Sequence, residues 1–182
     1  GSLNKVFCYH CALPVISPVR DTKQNIYCCN GCKQVSELLA SHDLSKEYYS
    51  LKKNGVVFSS PPLKIESLEA HTYMDKEEFF QEYGGRQNKE EHHFSFYLEG
   101  IHCVACLWLL EKLSAFNDQI YSSSVDLSTS VILVRYHSEL KLSSIASLLL
   151  TLGYKPIPLK NNNEGLKLKQ QENRREFIRV AI

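Results

Sequence analysis

Cys103 and Cys106 form a C-x-x-C pair between an alternating apolar stretch at 94–98 and an apolar-periodic run at 107–116. This order predicts a strand-to-helix turn that places both thiols at a helix N-terminus, where the helix dipole favours thiolate over thiol. Soft thiolates in low coordination select Cu(I) and similar soft ions. The pair therefore predicts an open Cu(I) site, with Cys103 as the accessible entry ligand and Cys106 as the more buried partner.

The same spacing has other uses, which stay as alternatives. A C-x-x-C pair can be a dithiol redox centre, half of a structural zinc site or two buried apolar thiols. The redox interpretation is disfavoured because the element pattern is not the thioredoxin order and no aromatic residue stands before Cys103. His102 offers a possible third donor, although a histidine on an exposed loop is the commoner case. His92 and His93, at a strand start, are likewise interpreted as solvated.

Five further cysteines lie within residues 8–32. Cys8 and Cys11 form one close pair, and a second group follows after sixteen residues. Two such knuckles can close around one tetrahedral ion, with Zn–S distances of about 2.3 Å. Five thiols for four positions leave one spare, and Cys28 is expected to pack on one face of a short strand. The predicted Zn²⁺ ligands are Cys8, Cys11, Cys29 and Cys32, with Cys28 as the alternative.

Around the C-x-x-C pair the patterns follow the order strand, helix, strand, strand, helix, strand, and Gly153 is expected to end the second helix. This order is a ferredoxin-like split βαβ layout. The predicted segments are 94–98, 107–116, 121–127, 130–136, 142–152 and 154–159. The predicted core consists of Phe94, Phe96, Leu98, Leu110, Val125, Leu127, Ile132, Val134, Ile145 and Leu149.

Upstream of this domain, the cysteine-rich segment has the layout of a small treble-clef or zinc-ribbon fold. An apolar stripe at 35–39 predicts an amphipathic helix that opens at Cys32. Segment 48–51 is expected to pack against the cysteine-rich module. The spacing of Asp75 and Glu78 predicts a capping box for a short helix. The fold class is therefore α+β, with a small metal-dependent module before a larger one.

The composition excludes several classes of protein. The 182 residues carry a net charge of +1, which argues against a dedicated nucleic-acid binder with a strongly basic face. No run of 18 apolar residues exists, so no segment of the sequence is expected to span a membrane. Seven cysteines, an odd number, suit reduced thiols and metals better than a secreted disulfide framework. Residues 160–182 carry six Lys or Arg against three Asp or Glu. This balance suits a charged helix or a disordered end, and by the positive-inside rule it favours the cytoplasmic approach to a first transmembrane helix.

One pattern combines three features: a glycine before the C-x-x-C pair, Leu-Glu inside the following helix and Gly-Tyr near the end. Its residues are Gly100, Cys103, Cys106, Leu110, Glu111, Gly153 and Tyr154. With this pattern, residues 92–159 resemble a heavy-metal-associated domain, the module of copper chaperones and of heavy-metal P-type ATPases. The sequence departs from the family at His102 and at Ile101, where Met is usual and Ile keeps an apolar side chain. The resemblance implies a ferredoxin-like fold that binds Cu(I) through its two cysteines.

The cysteine-rich segment carries Cys-x-His-Cys-x-Leu-Pro at 8–14 and Tyr-Cys-Cys-x-Gly-Cys-x-x-Val at 27–35. With both motifs in this order, the chain resembles the N-terminal metal-binding region of one branch of copper P-type ATPases, the branch linked to copper supply for haem–copper oxidases. The resemblance implies a cysteine-rich module with a helical extension at 1–88, a heavy-metal-associated domain at 92–159 and a basic linker at 160–182 that leads to a first transmembrane helix.

The function implied by the resemblance is binding and transfer rather than catalysis. The chain is expected to take Cu(I) from a copper chaperone or another Cu(I) donor and to relay or sense it for ATP-driven export, with Zn²⁺ in the first module. The parent protein would be a Cu(+)-transporting ATPase of the bacterial inner membrane, with this region on the cytoplasmic face. The other expected partners are the remaining domains of that parent; no nucleic acid is expected, and the membrane is reached only through the parent chain. A dithiol redox protein and a zinc-stabilised protein-interaction scaffold are the alternatives.

Overall fold

The structure, a computed structural model, describes residues 5–54, 68–83, 86–99, 101, 104–160 and 170–175. Within these ranges no helix is both long and apolar enough to cross a bilayer. Several residues that carry the sequence interpretation lie outside the described residues. They are Gly100, His102, Cys103 and most of the linker at 160–182.

The cysteine-rich segment begins with a tight loop and a two-stranded hairpin. A bridge between Phe7 and Pro14 closes the loop. The strands β1 (Val19–Arg20) and β2 (Ile26–Tyr27) pair antiparallel. The backbone N–H of Tyr9 donates to a carbonyl of β2 at 2.7 Å, so that the loop and the hairpin form one unit.

Two helices follow the hairpin, α1 (Asn30–Ser41) and α2 (Ser45–Asn54). The buried stripe of α1 runs through Val35, as the sequence predicts. The helix begins at Asn30 rather than at the predicted Cys32, because Cys29 has an extended backbone and takes the N-cap position. The whole second cysteine group therefore lies within or directly before the first helical turn.

Tyr27 ties the hairpin to α1. Its side chain is buried, and its hydroxyl donates to the Asp21 carboxylate at 2.9 Å and lies 3.1 Å from Ser36 Oγ on α1. The same carboxylate accepts from the side-chain amide of Asn25 at 2.8 Å and shapes the hairpin turn. One aspartate thus fixes both the turn and the ring that packs beneath the helix.

The rest of the described chain forms an antiparallel sheet with helices packed on it. The elements in chain order are a 3-10 helix at Leu68–Asp75, α3 (Glu77–Tyr83), β3 (Arg86–Gln87), β4 (Glu91–Leu98), α4 (Val104–Leu110), a 3-10 turn at Leu113–Ala115, β5 (Ile120–Asp126), β6 (Val131–His137), α5 (Leu142–Thr151) and β7 (Pro156–Pro158). The strands β4 and β6 are central, and β5 lies outside β6. Both β3 and β7 pair with the other edge of β4, where β3 pairs near its start and β7 near its end.

The order β4–α4–β5–β6–α5–β7 is the predicted alternation of strand, helix, strand, strand, helix, strand. The bounds differ in places. The helix predicted at 107–116 begins at Val104, ends at Leu110 and gives way to a 3-10 turn. Gly153, after α5, has a φ of 101°, a left-handed conformation that glycine adopts without steric penalty.

One hydrophobic cluster fills the space between the sheet and its helices and continues into α1 and α2 through Val35, Leu39 and Tyr48. Val125 is half-buried, and all the other predicted core residues except one are buried. The exception is Leu127, which is 54 % exposed because β5 ends at Asp126 and the chain has already entered the turn. The cluster therefore joins elements on both sides of the boundary placed between 88 and 92.

Asp75 caps a helix other than the one that its sequence spacing predicts. Its carboxylate accepts from the Ser143 backbone N–H at 3.0 Å and from the Ser143 hydroxyl at 2.6 Å, in the first turn of α5. An acceptor at this position satisfies a helix N–H group that has no partner within the helix. The expected capping box with Glu78 is thus replaced by a bond that joins Asp75 to α5.

Candidate metal centre

Four sulfur atoms converge in the cysteine-rich segment: the Sγ atoms of Cys8, Cys11, Cys28 and Cys32 all lie within 4.8 Å of one another. The Cys28 sulfur lies 3.5 Å from that of Cys11 and 3.6 Å from that of Cys32. A tetrahedral site with Zn–S bonds of about 2.3 Å needs S–S separations of about 3.8 Å. The four sulfurs therefore suit one tetrahedral ion with little movement.

The first two sulfurs come from the loop closed by Phe7 and Pro14. The N–H of Cys8 donates to the Leu13 carbonyl at 2.8 Å, and the N–H of Ala12 donates to the Cys8 carbonyl at 2.9 Å. Ala12 has a φ of 61°, in the left-handed region that non-glycine residues seldom adopt. This reversal brings the thiols of Cys8 and Cys11 to the same side of the loop, where both are buried.

The other two sulfurs come from the link between β2 and α1. Cys28 directly follows β2 and is half-buried, whereas Cys32 lies in the first turn of α1 and is 0 % exposed. The site is therefore closed on the side of α1 and more open at Cys28. Closed sets of four protein ligands are typical of structural metal sites.

Cys29 lies outside the converging group. Its sulfur accepts from the backbone N–H of Cys32 at 3.4 Å, which caps α1, and lies 3.8 Å from the Cys28 sulfur. The sequence interpretation places Cys29 on the ion and Cys28 in packing, and the structure brings the alternative, Cys28, to the other three sulfurs. The reason is local: Cys29 is taken up by the N-cap, which leaves Cys28 in the extended link next to the loop.

The thiols of this group perturb one another. The hydrogen bond with Cys32 lowers the pKa of Cys11 to about 5. Burial raises the pKa of Cys28, and the hydrogen bond with Cys11 raises the pKa of Cys32. One thiolate is thus stabilised by neighbours that stay protonated. Four thiolates at these distances would repel one another strongly, so the arrangement favours a cation among them.

His10, inside the first loop, is a residue for which the sequence interpretation gives no role. Its ring is 6 % exposed and packs against Tyr48 and Tyr49 of α2 rather than joining the sulfur group. Burial, assisted by the charge of Lys52, lowers the pKa of His10 to about 3. The available signal was the C-x-H-C string itself, which places a histidine between two candidate ligands.

The second predicted site is described in part. Cys106 lies in the first turn of α4, is half-buried and packs against the main hydrophobic cluster. Ile101 is buried in that cluster, whereas Val104 at the start of α4 is 61 % exposed. Cys103 and His102 lie outside the described residues. The described part therefore consists of a helix start near the surface with one cysteine turned toward the interior.

His92 and His93 were expected to be solvated, and both are half-buried on β4. The Nε2 atom of His93 lies 2.6 Å from a Glu91 carboxylate oxygen, which also lies 3.4 Å from the guanidinium of Arg135. The ring of His92 contacts Tyr136 edge-on. Across the described ranges, the four-sulfur group is the one cluster of His, Cys, Asp or Glu side chains spaced to hold a metal ion.

Residues 7–88 match the family model described as "Putative metal-binding domain of cation transport ATPase". The matched segment contains the four converging cysteines, α1, α2 and α3, and it ends just before β4. No curated protein and no solved structure matches the chain. The description of the matched model, a metal-binding domain, agrees with the geometry of the cysteines in this segment.

Proposed function

We propose that the chain is the N-terminal metal-binding region of a copper-transporting P-type ATPase, where it binds Cu(I) and relays or senses it for ATP-driven export. The observation that carries the proposal is the convergence of four thiols within a segment that matches a metal-binding domain of cation transport ATPases. The location of the region on the cytoplasmic face of a bacterial inner membrane belongs to the same proposal.

In this proposal the first module holds one Zn²⁺ through Cys8, Cys11, Cys28 and Cys32, as a structural ion. The sulfur spacing and the burial of three of the four thiols support a closed site. The cysteine-rich segment has a small hydrophobic cluster of its own, which consists of Cys8, Cys11, Cys32 and Tyr27. A bound ion would neutralise the thiolates and cross-link the loop to α1, so that its binding energy becomes folding energy.

The second module is proposed to be a ferredoxin-like heavy-metal-associated domain at 92–159 that binds Cu(I) through Cys103 and Cys106. Support comes from the order of elements, from the antiparallel arrangement β7–β4–β6–β5 and from the place of Cys106 in the first turn of α4. Two soft sulfur donors at a helix start suit an exchangeable Cu(I) ion. Cys103 is proposed to accept copper from a chaperone or another Cu(I) donor.

Metal analysis of matched variants tests both sites. The purified protein should contain about one zinc per chain and take up about one Cu(I) in competition with a Cu(I) chelator. The double variant Cys103→Ser/Cys106→Ser should lose copper uptake and keep zinc, and Cys8→Ser/Cys11→Ser should do the reverse. A protein that holds no metal and takes up no Cu(I) would refute the proposal. Copper in place of zinc at the four-sulfur group would make that group a second transport site.

A further inference from the structure

A set of four side chains, here called the aromatic clasp, joins the first cysteine loop to α2. It consists of His10, Tyr48, Tyr49 and Lys52. The Nδ1 atom of His10 lies 3.0 Å from the Tyr49 hydroxyl, and the His10 ring stacks on Tyr48 with centroids 5.7 Å apart and planes 4° from parallel. The ammonium of Lys52 donates to the His10 carbonyl and lies 5.7 Å from the centre of the Tyr48 ring. Both the ring and the backbone of His10 are therefore held by α2.

Tyr48 connects the clasp to the main core. It is 5 % exposed, whereas the other side chains of α2 within the described residues are half-buried or exposed. Tyr48 also belongs to the hydrophobic cluster that contains Leu109 and Leu110 of α4, and α2 packs against α4. The most buried side chain of α2 thus touches His10 on the metal loop and takes part in the core that holds α4.

We propose that the aromatic clasp couples metal occupancy of the four-sulfur group to α4, with His10 as a positioning residue and not a ligand. The inference rests on the proposed function, since it needs an ion at the four sulfurs. His10 lies between Cys8 and Cys11, so an ion that fixes these two ligands also fixes the position of His10. Because its ring and carbonyl are bound to α2, an ion that holds the loop also holds α2 in its position against α4.

The coupling has a consequence for the second site. An ion that stabilises the docked position of α2 also changes the surroundings of α4, and Cys106 lies in the first turn of that helix. Coupling between two binding sites is reciprocal. Zinc at the first site would therefore change the Cu(I) affinity of the second, and Cu(I) would change the zinc affinity by the same factor.

Trp108, the single tryptophan of the chain, lies on α4 and reports on this helix. The test uses a Cys103→Ser/Cys106→Ser background, in which added ions can occupy only the four-sulfur group. Co²⁺ absorption measures occupancy, and Trp108 fluorescence is followed in a parallel Zn²⁺ titration. We expect the fluorescence to change and to saturate at about one equivalent of Zn²⁺.

The clasp variant Tyr49→Phe/Lys52→Met removes both hydrogen bonds to His10 and keeps the stacked ring and the core. It should bind Co²⁺ with the same four-thiolate absorption. Its fluorescence change should be at most about one third of that of the background protein. Tyr49→Phe alone is the milder variant if circular dichroism shows that the double variant is unfolded. Tyr121→Phe, on the exposed face of β5, is the matched control and should respond like the background protein.

The outcomes separate the two proposals. Co²⁺ binding without any change in Trp108 fluorescence would overturn the coupling and leave the metal site standing. A clasp variant that responds as strongly as the control would overturn the role of the clasp. Absence of Co²⁺ and Zn²⁺ binding would refute the zinc site of the proposed function, and the coupling with it.

Discussion

Replacement of Cys28 by serine should weaken metal binding far more than replacement of Cys29. The Cys28 sulfur lies within 4.8 Å of the three other converging sulfurs, whereas the Cys29 sulfur accepts a backbone hydrogen bond at the N-cap of α1. The two residues are adjacent and have similar exposure, so each is a control for the other. The comparison therefore isolates the role of the sulfur in the site.

The expected magnitudes follow from these two roles. Four-ligand structural zinc sites contribute about 10–16 kcal/mol in peptides, so one of four ligands accounts for about 3 kcal/mol. That difference corresponds to a Kd about 100-fold higher for Cys28→Ser. Serine is among the favoured N-cap residues, so Cys29→Ser should preserve the cap of α1 and change the Kd by less than about threefold.

Competition with a zinc chelator gives the Kd of each variant, and the intensity of the thiolate-to-Co²⁺ charge-transfer band gives the number of sulfur ligands. Cys28→Ser should show the band of three thiolates, and Cys29→Ser the band of four. Loss of binding in Cys29→Ser together with unchanged binding in Cys28→Ser would show that the ion selects the other adjacent cysteine. In that case the ligand set would be the one that the sequence interpretation preferred.

Three further outcomes can be measured on the same protein. In urea unfolding, Asp75→Ala should lower the free energy of unfolding by about 1–2 kcal/mol, because α5 loses its capping carboxylate. Asp75→Asn should lower it less, and the exposed Asp118→Ala is the control. His10 has a pKa of about 3 in the folded protein, so the unfolded chain binds its proton more readily. The free energy of unfolding of metal-free protein should therefore fall as the pH decreases from about 6.5 toward 3, and His10→Gln should remove that part of the pH dependence. Cys103→Ser/Cys106→Ser should abolish Cu(I) uptake, while the NMR amide dispersion of the sheet stays native, because the fully buried residues of the hydrophobic cluster are retained and Cys106 only packs against its edge.

Periodicity in the sequence was enough to predict the order of strands and helices from β4 to β7. Alternation along β4 and β6 gives the buried positions Phe94, Phe96, Ile132 and Val134 because successive side chains of a strand point to opposite faces. The hydrogen bonds of Asp75 could not be predicted in this way. Its spacing to Glu78 is a local signal, but its carboxylate binds Ser143, 68 residues away. No pattern within one segment contains that partner.

The cysteine site, too, could be predicted from the sequence only in part. The pair spacing predicts which segments approach the ion, since a knuckle needs two thiols on one tight turn. It does not decide between Cys28 and Cys29, because both give a usable distance to Cys32. The choice depends on where α1 begins, and cysteine is not one of the residues that mark an N-cap in a sequence. The helix start, where Cys29 takes the N-cap, therefore determines which sulfur is left for the site.

Because α1 and α2 share a hydrophobic core with the sheet, a structural ion would have a smaller part of the fold to stabilise. The scarcity of large apolar residues near the first cysteines predicts a module that depends on its metal alone. In the structure, Val35 and Leu39 of α1 and Tyr48 of α2 belong to the hydrophobic cluster of the sheet, whereas the loop and hairpin have only the small buried group around Tyr27. Apolar burial of about 25 cal/mol per Å² stabilises the two helices against the sheet whether or not an ion is bound. The part of the fold that a bound ion would stabilise is therefore the loop and the hairpin, and the aromatic clasp is where that part meets the core of the sheet.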